Sequence, residues 1–387
     1  MVKAIKVMLI PNNVQKTKMF QYAGASRFAY NWALAREKEN YEKGGKFISD
    51  SELRKEFTKL RHSDEYAWLL NISNNVTKQA IKDACTAYKN FFKGLQKFPR
   101  FKSKKRSMPK FYQDNVKIQF SNTHVKFEGF SSSRKANKQK MNWVRLAEHG
   151  RIPTDVKYMN PRISFDGLNW WISVCVEFPD CRETLNDDGV GIDLGIKDLA
   201  ICSDGTKYKN INKSQKVKKL EKQKRRLQRS ISRSYEKNKK GESYCKTNNV
   251  IKKEKLLLKR NHRLTNIRKN YLNQTISEIV NRKPRFICIE DLNVSGMMKN
   301  RHLSKAVQEQ GFFWFRKQLE YKCSDKGIQL IVADRFYPSS KLCSCCGNIK
   351  KDLKLSDREY RCECGNIIDR DFQASINLKA YGERFAS

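Results

Sequence analysis

The sequence predicts a multidomain α/β protein joined to a small β-barrel. Three observations support this: period-two hydrophobicity in two separated blocks, short apolar strands alternating with helical stretches after residue 190, and a length of 387 residues, enough for two or three domains. Residues 2–10 alternate, with Ile5, Val7 and Leu9 on one side, and predict a strand. Residues 14 to about 40 predict a helix, with Phe28 and Trp32 four apart. A clearer helix follows over 73–95, capped by Ser73, with Val76, Ala80, Ala84, Ala87, Phe91 and Leu95 in one apolar stripe. Its other side carries Lys78, Lys82, Lys89 and Lys93, with Gln79 beside them. Such a stripe suits a solvated face as well as a phosphate-facing one.

Pro99 to Arg106 is a basic linker containing Arg100 and Lys102, interleaved with Phe101. The period then becomes two, through Val116, Ile118 and Phe120, then Val125 and Phe127, then Ile172, Val174, Val176 and Phe178. Asp166-Gly167 supplies a hairpin turn. Residues 1–10 and about 107–180 therefore predict the barrel, with the helical block 11–100 inserted in it.

Beyond residue 190, Val190, Ile192 and Leu194 alternate, and a second strand runs from Leu199 to Cys202 before an Asp204-Gly205 turn. Residues 207–270 hold 24 Lys/Arg against 4 Glu, so half the excess charge of the chain lies in 64 residues. Recurring Ile, Leu and Val predict a pair of basic helices there, among them Arg225 and Arg226. Arg285–Glu290 predicts a buried strand, Gln308–Lys326 an amphipathic helix bearing Phe312, Phe315, Leu319 and Cys323, and Ile328–Val332 a further strand. This succession is an α/β layout.

The chain carries 80 Lys+Arg against 40 Asp+Glu, a formal net charge of +40. Such an excess needs a polyanion, and nucleic acid fits better than an anionic membrane surface or an acidic protein. A mean hydropathy of −0.76, with no apolar run near the roughly 18–20 residues of a transmembrane helix, argues against a membrane protein. Met1–Lys6 lacks the apolar core of a signal peptide, so a cytosolic location is expected. Of 12 cysteines, five fall between Cys343 and Cys364 and seven are scattered, mostly among apolar neighbours. Clustered thiols suggest a metal and scattered ones buried small residues, which excludes a secreted disulfide protein.

Three acids stand out. Asp193 lies between Ile192 and Leu194 in a strand built for burial, Glu290 ends the apolar run Phe286–Ile289, and Asp371 sits at a helix start. Converging carboxylates suit two hard divalent cations, Mg²⁺ or Mn²⁺, about 4 Å apart at a phosphodiester. Asp193 is expected to bridge both ions, with Glu290 and Asp371 completing the site. Asp371 could equally be a helix cap, and Asp369 is its nearest competitor. The run Gly191–Gly195 also resembles the first phosphate loop of the actin and sugar-kinase ATPases, but no second glycine-rich loop follows.

Cys343 and Cys346 form C-x-x-C, and Cys362 and Cys364 form C-x-C, each pair followed by Gly. These predict two knuckles around one structural Zn²⁺, with Cys345 able to replace a ligand and redox thiols as the competing reading. Lys341 and neighbouring lysines suggest contact with nucleic acid.

The order Gly191-Ile192-Asp193-Leu194-Gly195, Ile289-Glu290-Asp291-Leu292, Pro338-Ser339-Ser340-Lys341, paired cysteines and Asp369-Arg370-Asp371 resembles the TnpB family of transposon-encoded RNA-guided DNA nucleases, related to type V CRISPR effectors. Arg27–Trp32 and Pro99–Lys102 resemble its N-terminal half. The resemblance implies a RuvC nuclease core of RNase H-like fold over 183–341 and 366–387, with a basic helical insertion at about 207–280. It implies a zinc ribbon over 342–365 that binds target nucleic acid, a wedge-like barrel over 1–10 and 102–182, and a helical recognition lobe over 11–101. It further implies a guide RNA from the transposon end, one protein per RNA, double-stranded target DNA with a short adjacent motif, and Mg²⁺-dependent cutting of both strands. The location implied is prokaryotic cytoplasm, on the nucleoid when DNA-bound. Asp193, Glu290 and Asp371 match the family's catalytic positions, and Lys78 and Gln79 its motif-reading positions. Competing functions are a nuclease-silent RNA-guided regulator, a small type V CRISPR effector of the same ancestry, and a strand-transferring transposase.

Overall fold

The computed structural model describes residues 1–131, 141–179, 183–241, 243–354 and 357–386. The chain divides into two compact units, Met1–Pro179 and Asp180–Ser387. Among the described residues no helix is long and apolar enough to cross a membrane. Cys181 lies outside the described residues.

The first unit is built on strands β1 (Val2–Ile10), β2 (Lys110–Tyr112), β3 (Gln119–Phe120), β4 (His124–Lys126), β5 (Trp143–Leu146), β6 (Tyr158–Phe165) and β7 (Trp170–Glu177). They form one antiparallel sheet in the order β2-β6-β7-β1-β5-β4-β3. β1 pairs along its length with β7, from Val2 opposite Glu177 to Leu9 opposite Trp170. The Asp166 carboxylate accepts the backbone N–H groups of Leu168 and Asn169, and Gly167 at φ 95° turns the chain between β6 and β7.

The expected closed barrel is not found among the described residues: β2 and β3, at opposite ends of the order, do not pair. The reason is local. Where alternation predicts a strand through Val116, Asp114 Oδ1 instead accepts the N–H groups of Val116 and Lys117 in a turn. Val116 is 87% exposed, and β3 shrinks to two residues, too few ladder groups to close a sheet.

Helices α1 (Asn13–Glu42), α2 (Asp50–Arg61) and α3 (Asn74–Phe92) lie between β1 and β2 in the chain. Asn12 and Gln15 make a capping box at α1, and Ser73 caps α3. Val76, Ala80 and Ala84 are buried as the stripe requires. Gly94, at φ 70°, turns the chain just past α3, so Leu95 falls outside the helix and is exposed. Helices and sheet share one core, in which Met19 and Tyr22 meet Val7, Phe111 and Val125.

The second unit contains, in chain order, β8 (Val190–Leu194), β9 (Asp198–Cys202), β10 (Lys207–Lys209), α4 (Gln215–Lys237), β11 (Lys239–Lys240), β12 (Ser243–Tyr244) and α5 (Asn248–Asn281). There follow β13 (Phe286–Glu290), α6 (Val294–Lys299), α7 (Ser304–Gln310), α8 (Phe312–Lys326), β14 (Gln329–Ala333), β15 (Glu359–Arg361), β16 (Ile367–Asp369) and α9 (Arg370–Phe385). The main sheet is ordered β10-β9-β8-β13-β14. β8, β9 and β10 are antiparallel neighbours, and β13 runs parallel to both β8 and β14. The basic segment is a pair of long helices, α4 and α5, joined by apolar contacts among Val217, Leu220 and Leu264 and by an Arg268–Glu221 ion pair at 3.1 Å. The single helix expected over 308–326 is instead two, because Gly311 adopts a left-handed φ of 70° that ends α7 and opens α8.

Both faces of the sheet are covered. Val190, Ile192, Leu194, Ile287 and Ile289 join Leu272 and Ile276 of α5 and Phe312, Phe315 and Leu319 of α8 in one core. Phe286, Cys288, Ile331 and Ala333 join Leu378 of α9 in another. Four scattered thiols, Cys85, Cys202, Cys288 and Cys323, are buried, whereas Cys245 is exposed. α9 seats closely on β8 at Gly191, where a Cβ would stand 2.0 Å from the Ser375 carbonyl oxygen and 2.3 Å from the Lys379 nitrogen. Gly191→Ala is therefore expected to cost about 3 kcal/mol by overpacking, read as a lower unfolding midpoint of the full chain. An unchanged midpoint would show that the helix does not need this close approach.

Candidate active site and cysteine cluster

The alternation that turns Ile192 and Ile289 toward α5 and α8 turns Asp193 and Glu290 to the opposite face, the one covered by α9. Ile192 lies opposite Ile289 in the parallel ladder, so the next residues, Asp193 and Glu290, are neighbours at the carboxyl ends of β8 and β13. α9 brings the third acid. Asp369 is its cap, accepting the Phe372 N–H at 3.0 Å, which leaves Asp371 free for other partners in the first turn. Asp371 pairs with Arg370 at 3.3 Å and Arg358 at 3.7 Å.

The recess is electrostatically costly. Burial pushes the Asp193 carboxyl well above the usual range, and the charges of Glu290 and Asp371 push it further. Burial also raises Glu290, against the Ser339 hydroxyl that donates to its carboxylate, and Asp371 adds to the rise. Asp291, next in sequence to Glu290, behaves oppositely: hydrogen bonds from Arg316, at 2.7 Å, and from Arg335 hold it below the usual range. The oxygens of three converging carboxylates suit hard divalent cations, whose charge would relieve this repulsion.

Ser339 and its support were not visible as site residues in the sequence. Asn377, buried on α9, donates to the carbonyls of Ser339 and Leu342, both at 2.7 Å, and so fixes the segment beneath Glu290. No periodicity marks either residue; the motif position of Pro338–Lys341 was the one available signal.

Cys343, Cys346, Cys362 and Cys364 bring their sulfurs within 4.8 Å of one another. Among the described residues this is the one set of three or more metal-ligating side chains drawn so close; the three carboxylates stand further apart. Cys343 to Cys364 is 3.7 Å and Cys346 to Cys362 is 3.6 Å, against about 3.8 Å between sulfurs in a tetrahedral Zn–thiolate site. Cys345 is exposed and outside the set. The shorter C-x-C knuckle closes because its turn is one residue tighter. Gly347 N–H bonds to the Cys343 carbonyl, four back, whereas Gly365 N–H bonds to Cys362, three back. Burial disfavours the Cys343 thiolate, but backbone N–H groups of Cys346 and Cys345 and the Asn366 amide bring the thiol down to about 6. Although the Asn366 N–H favours its thiolate, the adjoining sulfurs push Cys364 up to about 12. Four thiols this close suit a soft or borderline cation that takes them all as thiolates.

The expected nucleic-acid contacts differ in availability. Lys78, Lys82, Arg100, Arg225 and Arg226 are exposed. Gln79 donates to Asp83, which is held bidentately by Arg162 at 2.6 and 3.0 Å. Lys102 is half-buried with its ammonium over the Tyr30 ring, and burial, then Lys110, lower it to about 7. Lys341 donates to the Lys351 carbonyl at 3.2 Å and thus braces the ribbon.

A mixed sheet with three acids under a helix that follows a four-thiol ribbon defines a recognisable class. The fold is shared with Cas12f1 in the solved Cas12f1-sgRNA-target DNA complex, at TM-score 0.57 and 12% identity over 94% of this chain and 82% of that one. Residues 312–378 match a family model described as "Cas12f1-like, TNB domain", residues 173–301 one described as "Probable transposase", and residues 1–46 one described as "Helix-turn-helix domain". Over that last span this chain has β1 and one uninterrupted helix. Several relatives carry the name "Putative RNA-guided DNA endonuclease". InsQ of Escherichia coli (strain K12) is 30% identical over 98% of this chain and 92% of its own length. A protein of Streptomyces pristinaespiralis is 29% identical over 98% and 89%. The chain belongs to the TnpB family.

The raised acids make a pH signature. Folded-state pKa values of Asp193 and Glu290 lie above their unfolded values, so the stability they contribute is present at low pH and lost as pH rises through the folded values. In divalent-free buffer, Asp193→Asn is expected to be more stable than wild type near pH 8, with the advantage vanishing near pH 4. Parallel stability curves for the two proteins would contradict this.

Proposed function

We propose that this chain is an RNA-guided DNA endonuclease in which a guide RNA pairs with target DNA beside a short adjacent motif. The convergence of Asp193, Glu290 and Asp371 at one end of the second unit's sheet carries this reading. Similarity to relatives named RNA-guided DNA endonucleases, across almost the whole chain, supports it.

In this reading residues 183–341 and 366–387 form an RNase H-like RuvC domain with the basic insertion at about 207–280. Residues 342–365 form a zinc ribbon for target nucleic acid, 1–10 and 102–182 a wedge-like open sheet, and 11–101 a recognition lobe. Bound Mg²⁺ or Mn²⁺, as two ions, would supply activation of the attacking water and neutralise the leaving oxygen of each strand. Asp193, together with Glu290, oriented by Ser339, and Asp371, steadied by Arg370 and Arg358, would hold these ions. One structural Zn²⁺ would be held by Cys343, Cys346, Cys362 and Cys364. Lys78, Lys82, Arg100, Arg225 and Arg226 would meet phosphates, and base pairing would supply sequence specificity. The partners are a guide RNA from the transposon end, one protein per RNA, and double-stranded DNA, in prokaryotic cytoplasm.

Asp193→Ala is expected to keep RNA and DNA binding while lowering Mg²⁺-dependent cleavage by on the order of a thousandfold or more. Undiminished cutting of a guide-matched plasmid by that variant would refute the proposal. Elemental analysis is expected to find one zinc per chain, lost in Cys362→Ser and retained in Cys345→Ser. Zinc retained in Cys362→Ser would remove that cysteine from the ligand set.

A further inference from the structure

The ribbon and the acid-bearing helix are linked through polar side chains that neither a fold nor a metal site requires. Asn366, just past the second knuckle, donates from Nδ2 to Cys343 Sγ at 3.5 Å, to Ser344 Oγ at 3.4 Å and to Gln373 Oε1 at 3.0 Å. The Ser344 hydroxyl also donates to Gln373 Oε1, at 3.4 Å. Gln373 is fully buried, its Nε2 has no partner, and it stands two residues after Asp371 on α9. A buried amide with an unspent donor is a costly choice where an apolar residue would pack. Its acceptor oxygen is nevertheless committed to the knuckle.

We propose that Asn366 and Gln373 couple the thiol site to the carboxylate site, so that filling the first tightens the second for Mg²⁺ or Mn²⁺. This rests on the two-site reading above. A cation held by the four thiols would fix Cys343 Sγ in place, and with it the acceptor of the Asn366 amide. Asn366 is then held between Cys343 and Gln373. Gln373, enclosed, cannot turn to solvent, so the first turn of α9 and Asp371 within it are restrained. Gln373 is thus a positioning residue that acts through Asp371, as outer partners of metal ligands do.

The full-length chain, zinc-loaded, is titrated with Mn²⁺ and the free ion followed by electron paramagnetic resonance. Zinc content is measured in parallel. Asn366→Ala and Gln373→Leu are each expected to weaken Mn²⁺ binding about tenfold. The double variant should be no weaker than the weaker single, because both cut one link. Unchanged Mn²⁺ affinity in Gln373→Leu with zinc retained would overturn the coupling, and so would additive losses in the double variant. Gln373→Met carries the same expectation should Gln373→Leu fail to fold. Asp193→Ala separates the two levels: if it leaves Mn²⁺ binding intact, the carboxylate site itself is misassigned, whereas if it alone abolishes binding, only the coupling fails.

Discussion

The second unit depends on the close approach of its last helix to the strand that carries Asp193. At Gly191 the helix backbone sits where any side chain would be, and a second close approach occurs at Gly382, whose Cβ would meet the Phe286 ring at 2.3 Å. At Gly191 strand and helix backbones meet with no side chain between them, whereas Gly382 leaves room on the helix for the Phe286 ring. Without that approach Asp371 would stand a side chain's width further from its fellow acids. Burial of Phe286, Cys288 and Leu378 supplies the adhesion, and the acids ride on it.

The site's chemistry runs against the character of the chain. A molecule of net charge +40 gathers three carboxylates at one end of a sheet, where Arg370 and Arg358 pair with Asp371. Exposed lysines and arginines elsewhere attract a polyanion's phosphates, whereas the acids repel them unless cations intervene. Long-range attraction and local cation dependence are thereby divided between different residues, which lets the basic surface be broad without neutralising the acids.

Much of this was legible in the sequence, and the failures share a cause. Asp193 and Glu290 were legible because an acid in an apolar alternating strand contradicts the burial around it, and period two then fixes which face it takes. Asp371 was ambiguous with Asp369, since capping and metal binding use the same side chain; the hydrogen bond from Phe372 to Asp369 separates them. The four thiols were legible by spacing alone. Alternation misled at Val116, where the Asp114 side chain competes for backbone N–H groups and converts a strand into a turn. Helical periodicity ran unbroken across Gly311, although the backbone reverses hand there. Ser339, Asn366, Gln373 and Asn377 were illegible because a neutral polar residue declares its role only through partners distant in the chain.

Burial of the scattered cysteines has a practical consequence. Enclosure pushes the thiols of Cys85, Cys202, Cys288 and Cys323 up to about 12, so they remain protonated and shielded while the native packing holds. A maleimide or iodoacetamide pulse reaches Cys245 and Cys345 at once but reaches the enclosed four only through opening of the chain around them. Cys85 belongs to one compact unit and the other three to its companion. The wild-type molecule thus carries its own alkylation clock for each half, needing no engineered probe to time their separate unfolding.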